Sequence, residues 1–140
     1  MDNKKVLVVK PVLENNNINL DFSTESFVDY LDMRTFVNGP IELLAIPIVI
    51  DDNSYDIFLN EEGKLIGGLL PSIVLLNDDK VYDIVVGNFF VSKSNYEGES
   101  VDMSNDEINK IKEFINNNMD SFIYQIDSNN VSCRLLKMSY

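Results

Sequence analysis

Residues Val81-Tyr82-Asp83-Ile84-Val85-Val86-Gly87-Asn88-Phe89-Phe90-Val91 constrain the fold more than any other stretch of the chain. In an extended backbone Val81, Val85, Phe89 and Val91 point one way, and Tyr82, Ile84, Val86 and Phe90 the other. A strand apolar on both faces needs neighbours above and below, so this stretch predicts a central strand of the core. Gly87 and Asn88 interrupt it and predict a bulge, or a place where something comes close to the backbone.

The other segments supply neighbours. Lys5 to Lys10 predicts a short apolar strand closed by Pro11, which cannot continue a central ladder. Asn15-Asn16-Asn17 marks a turn, and the alternation from Ile18 to Phe22 predicts a second strand paired with the first. Ser23 or Thr24 is expected to cap a helix carrying Glu25, Phe27, Tyr30, Leu31 and Arg34, with Asn38-Gly39-Pro40 stopping it. Ile41 to Ile50 is almost continuously apolar, but Pro47 inside it predicts an edge strand or a bulge. Asp51 to Ser54 is turn chemistry, and Tyr55 to Leu59 is expected to return as its hairpin partner.

Asn60-Glu61-Glu62-Gly63-Lys64 predicts another tight hairpin turn, with Gly63 in the left-handed region. A short helical turn is expected near Leu70-Pro71-Ser72, and Asn77 to Lys80 turns the chain into the central strand. Ser94 to Gly98 reads as a loop. Ser104-Asn105-Asp106-Glu107 is a capping box, and Ile108, Ile111, Ile115 and Met119 form one apolar face of the helix that it opens. Ser121 to Ile126 and Val131 to Met138 predict a final strand pair. The sum is an α+β fold: a mostly antiparallel sheet with two main helices packed on it, in a single compact domain. Residues 1–116 form its core and 117–140 a C-terminal strand extension.

Several function classes lose their chemistry here. The chain of 140 residues has no histidine. That removes Ser-His and Cys-His catalysis and the usual zinc sites. No glycine-rich phosphate-cradling motif is present. The single cysteine, Cys133, excludes an internal disulfide, fits a reducing cytosol and reads as core. No stretch has the apolar length of a membrane span, and the N-terminus leads straight into a strand-like segment. The expected setting is cytoplasmic.

The net charge of −12 is unevenly placed. Residues 11–79 hold 13 acids against Arg34 and Lys64, a balance of −11, while the remainder holds 10 acids and 9 bases, a balance of −1. Such a field repels nucleic acid. Its plain reading is a solvated surface that keeps the protein soluble. The sharper one is an acidic face, centred on Asp51, Asp52 and Asp56, offered to a basic host partner, a DNA-holding protein being one such partner.

Together with Val6-Leu7-Val8-Val9-Lys10-Pro11 and the start of the capped helix, Asn60 to Gly67 and Tyr82 to Phe90 come in a recognisable order. The sequence resembles the family called domain of unknown function 3846, over roughly residues 4 to 115. Two departures stand out: Asn38-Gly39-Pro40 replaces the usual pair of glycines, and residues 117–140 lie beyond the match. The resemblance implies a bacteriophage or mobile-element setting and no particular activity.

Candidate binding residues are Asn60, Glu61, Glu62, Lys64, Gly67, Gly68 and Asn88. The structural reading of the first four is a hairpin loop. The functional reading is that Lys64 holds a phosphate or a partner carboxylate, with Gly67 and Gly68 offering open amides. Asn88 reads either as a satisfied bulge residue or as a ligand contact. Asp83 is expected near a strand end, facing solvent or a backbone donor. Asp51-Asp52-Asn53 and Asp78-Asp79 lack the spacing of a calcium loop, so no metal site and no cofactor are expected.

The expected function is a non-enzymatic binding protein, used in counter-defence against a host protein or to sequester a small nucleotide. The alternative is a small carboxylate- or metal-dependent phosphodiesterase. A free strand edge leaves room for a homo-oligomer.

Overall fold

The computed structural model of the protein describes residues 4–44, 46–65, 69–77, 80–117, 119–126 and 128–137. In chain order its elements are β1 (Lys4–Glu14), β2 (Asn17–Phe27), α1 (Tyr30–Val37), β3 (Ile41–Leu43), β4 (Ile48–Ile50), β5 (Asn53–Asn60), β6 (Pro71–Asn77) and β7 (Lys80–Val86). Then follow β8 (Phe89–Ser94), β9 (Ser100–Val101), α2 (Asn105–Asn117), β10 (Met119–Ile126) and β11 (Asn129–Lys137). Among the described residues, two helices and eleven strands make the fold largely β.

The strands run β3-β5-β8-β1-β2-β11-β6-β7, with β4 also on β5, β9 on β8 and β10 on β11. The sheet is mostly antiparallel, as expected, but it is mixed. β11 runs parallel to both β2 and β6, while the other pairings among the described residues are antiparallel. The physical reason is insertion. β2 and β6 point the same way, so a single strand entering between them is parallel to both or to neither.

β1 shows why the centre of the sheet is apolar on both faces. Leu7 and Val9 belong to the main core, where Ile57, Phe89, Val91 and the α2 residues Ile108, Ile111 and Ile115 meet. Val6 and Val8 face the opposite way, into a second core with Val37 and Phe90, against which Met33 and Phe36 of α1 pack. Each fully buried Ile of α2 contributes about 2 kcal/mol of transfer free energy. Phe90 anchors α1's side by stacking on Phe58 at 5.1 Å and meeting Phe27 edge-on at 5.0 Å. A third cluster joins Ile18, Val74, Val131 and Cys133, which is core as expected.

Several expected turns formed. Asn15-Asn16 and Asp51-Asp52 all take positive φ, between 50° and 65°. The flanking pairs Glu14↔Asn17 and Ile50↔Asn53 close two-residue hairpins of the type whose twist matches the strands. Pro47 sits where expected: β3 and β4 both pair with β5 on one edge, and the chain between them carries two extra residues. The register shows it, since Leu43 opposes Phe58 while Ile48 opposes Tyr55.

Other expectations are overturned. The presumed central strand is two strands. β8 lies inside the sheet between β5 and β1, but β7 ends the order on β6, and Gly87 at φ 86° turns the chain between them. Val85, Phe89 and Val91 do share the main core, whereas Val81 is exposed. β1 continues through Pro11, which opposes Leu20, because the ladder with β8 has already ended at Val9. Ser23 and Thr24 cap nothing; they are in β2, and Asp29 caps α1 by accepting from the Asp32 amide at 2.9 Å. Residues 71–77 form a strand, not a helical turn, and Met119 begins β10 instead of ending α2.

Candidate functional site

Asn60 ends β5 and is 3% exposed. Both polar atoms of its side chain have a partner: Nδ2 donates to the Val37 carbonyl at 3.0 Å and Oδ1 accepts from the Glu62 amide at 2.8 Å. Asn88, on the turn between β7 and β8, donates from Nδ2 to the Phe36 carbonyl at 3.0 Å. Val37 and Phe36 are the last residues of α1, whose final carbonyls have no partner within the helix. Both asparagines therefore close the end of α1. Asn38 assists locally, taking the left-handed conformation at φ 67°.

The segment from Asn60 to Lys64 is a turn, but no hairpin: β5 pairs with β3, β4 and β8, never with β6. Gly63 is not left-handed. It is required by proximity, since a Cβ there would stand 2.8 Å from the Val86 carbonyl oxygen. The contact arises because the sheet curls, bringing β7 from one end of the strand order beside β5 near the other. At this seam Lys64 pairs with Asp83, whose Oδ1 also accepts from the Ile84 amide at 2.8 Å. Asp83 lies in mid-strand rather than at a strand end, and its donors are those two groups. The cleft lined by Asn60, Glu61, Lys64, Asp83 and Val86 holds only about 50 Å³. Glu61, in its lining, and Glu62, the next residue in the chain, are exposed. Gly67 and Gly68 lie outside the described residues, as do Asp78 and Asp79.

The expected acidic face occupies the β4–β5 hairpin. Asp51 pairs with Lys110 of α2 at 3.1 Å, and its hydrogen bond holds the ammonium above its ordinary range. Asp52 is exposed at the turn; Asp56 is half-buried and accepts from Ser94 Oγ at 2.8 Å. Beside them an open groove of about 340 Å³ is lined by Asp52, Ser54, Lys93, Asn95 and the wholly exposed Tyr96. Asn95 stiffens this loop by accepting from the Glu97 and Glu99 amides at 2.9 and 3.0 Å.

Beneath the groove is a cluster that sequence reasoning missed. Glu107 forms the expected capping box, with the Ser104 amide 3.2 Å from its Oε1 and its own amide 3.1 Å from Ser104 Oγ. Its other oxygen accepts from Tyr55 at 2.8 Å and from Lys93 at 2.8 Å, tying α2 to β5 and β8. Burial works to raise the Glu107 pKa, but Lys93, the Ser104 amide and Tyr55 outweigh it and draw it down to about 2. Burial first, then the bond to Glu107 and nearby carboxylates, push the Tyr55 hydroxyl far above its ordinary value. The available signal was Tyr55 itself. It alternates with Ile57 and Leu59 on the buried face of β5, and a buried phenol needs an acceptor.

Among the described residues no three Cys, Asp or Glu side chains come together as metal ligands, and no helix is long and apolar enough to cross a membrane. No curated protein and no solved structure matches this chain. The stretch from β1 to α2, with the Asn60 turn and the Gly87-Asn88 turn inside it, is a family unit. Residues 4–116 match the model of the family described as domain of unknown function (DUF3846), and the chain belongs to that family.

Proposed function

We propose that this is a non-enzymatic binding protein of a bacteriophage or mobile element, acting in the host cytosol. It grips a basic host protein, in counter-defence, through its acidic surface. The observation that carries this reading is how little of the acidic charge is neutralised within the fold. Of the carboxylates in residues 11–79 that are described, only Asp51 makes an ion pair; Glu14, Asp21, Glu25, Asp29, Asp32, Asp52, Glu61 and Glu62 are exposed. Exposed like charges repel one another and steer a cationic partner.

The geometry weighs against the nucleotide reading. The cleft at Lys64 is about 50 Å³, against roughly 300–1,000 Å³ for small-molecule sites, and Lys64 already has Asp83. The larger groove carries Asp52, with Asp51 and Asp56 close by in the hairpin, which disfavours phosphates. Glu107, the carboxyl group beneath the groove, spends its oxygens on Lys93, Tyr55 and the Ser104 amide, which favours a structural tie over an enzymatic role.

The test captures the partner from host lysate and measures its affinity for the protein against salt. Asp51→Lys with Asp52→Lys and Asp56→Asn should weaken the complex by about tenfold or more, and added salt should weaken the unaltered complex. A partner indifferent to both would remove the acidic-surface reading. Multiple turnover of a cyclic nucleotide, lost on neutralising one acid, would restore the enzymatic one.

A further inference from the structure

Among the described residues the outer edge of β2 is open beyond Asn17. β2 pairs with β1 along its whole length from Asn17 to Phe27, yet on its other side the only ladder partner among the described residues is Ser132 of β11, opposite Asn17. Ser23, Thr24, Glu25 and Ser26 are all exposed. Residues flanking a two-residue hairpin turn exchange both backbone bonds, so Asn17 directs its polar groups at Glu14. The register then runs unbroken to Lys4↔Phe27. Phe22, Thr24 and Ser26 consequently send their N–H and C=O groups outward.

Strand edges are normally blunted by charged side chains, above all Lys, by Pro or by a bulge. Between Asn17 and Phe27 there is no Pro, Lys or bulge, and the edge is guarded by carboxylates alone. The charges on this edge strand are Asp21 and Glu25, four residues apart and so on one face. The chain immediately beyond exposes Val28, Tyr30 and Leu31 at 51%, 59% and 68%.

We infer that the Phe22–Ser26 edge of β2 takes up an extended segment of another protein by strand addition. That segment carries Lys or Arg at alternate positions and an apolar side chain at the end that reaches Val28 and Tyr30. The inference rests on the acidic-surface reading and gives it a backbone geometry. A second copy of this chain is the wrong occupant. Paired antiparallel about Ser23 it sets Asp21 across from Glu25, and paired about Thr24 it sets the two Glu25 side chains diagonally; both bring like charges together. A basic strand places cations opposite Asp21 and Glu25 while completing the ladder.

The probe is a synthetic peptide alternating Lys with Val, compared with the same peptide N-methylated throughout its backbone, which keeps the charge and removes the donors. Binding is followed by calorimetry and by amide exchange at Thr24 and Ser26. These two amides should exchange rapidly in the free protein and slow by at least about tenfold with the unmodified peptide, and the N-methylated one should bind at least about tenfold more weakly. Thr24→Pro, which removes an outward donor without touching the β1 ladder, should abolish the slowing at Ser26. Thr24 and Ser26 amides already protected in the free protein would overturn the inference. Equal binding of the two peptides would overturn strand addition and leave a grip by charge alone. Binding of neither would overturn it too, with the Asp51 and Asp52 reversals then deciding the acidic-surface reading by themselves.

Discussion

Helix α2 secures its first turn with Ser104 and Glu107, three residues apart in the chain, whereas α1 hands its last carbonyls to Asn60 and Asn88, 23 and 52 residues away. The two solutions answer the same need, since every helix end carries backbone groups with no partner in the helix. They differ in what they depend on. A capping box forms whenever its own few residues do. A cap delivered from two strands forms only when the sheet has brought β5 and the β7–β8 turn under α1. The second arrangement couples the helix to the global fold and makes its asparagines resemble a binding site.

The strongest way to break this comparison is Asn60→Ala. It leaves the buried Val37 carbonyl and the half-buried Glu62 amide without their partner, and should destabilise the protein by about 2–3 kcal/mol. Urea unfolding measures this. A loss below about 1 kcal/mol would mean that α1 closes adequately without its distant cap.

Next comes Glu107→Gln, which probes a cap that is local on one side and tertiary on the other. Its cost near pH 7 should be about 1–2 kcal/mol. The sign of the pH effect follows from the folded-state pKa of about 2 against an ordinary value of 4.5. The carboxylate's contribution is complete above 4.5 and is lost as pH falls towards 2. The stability gap between unaltered protein and variant should therefore narrow across that window. A gap independent of pH would show that the ionised form is not what ties α2 to Tyr55 and Lys93.

The smallest effect is expected at Lys64→Ala. The lysine side chain is 58% exposed, so its pair with Asp83 should be worth less than about 1 kcal/mol by thermal or urea unfolding. A larger loss would make the curled seam between β5 and β7 an important support of the fold.

Much of the local structure was legible. The asparagine and aspartate turns, the break at Pro47 and the capping box each follow from residues within a few positions of one another. Legibility failed at Ser23-Thr24-Glu25, where cap chemistry competed with strand pairing. Eleven register positions against β1, from Lys4↔Phe27 to Glu14↔Asn17, outweigh one side-chain cap. It failed again at Gly87-Asn88, where a bulge in one strand and a turn between two strands carry the same residues. The candidate site divided likewise. Asn60 and Lys64 were picked out as polar residues of a tight turn and Asn88 as the neighbour of Gly87, but their partners are α1 carbonyls and Asp83, which no spacing along the chain discloses.

By itself, the sequence determined the Asn15-Asn16 and Asp51-Asp52 turns, the start of α2 and the concentration of negative charge in residues 11–79, because each depends on neighbours in the chain or on composition alone. Only the tertiary structure decided which strands distant in the chain lie side by side, that β11 enters between two strands of one direction, and that Glu107 joins Tyr55 to Lys93. Those outcomes depend on contacts between segments far apart, whose free energy is realised only when the whole sheet has closed around its cores.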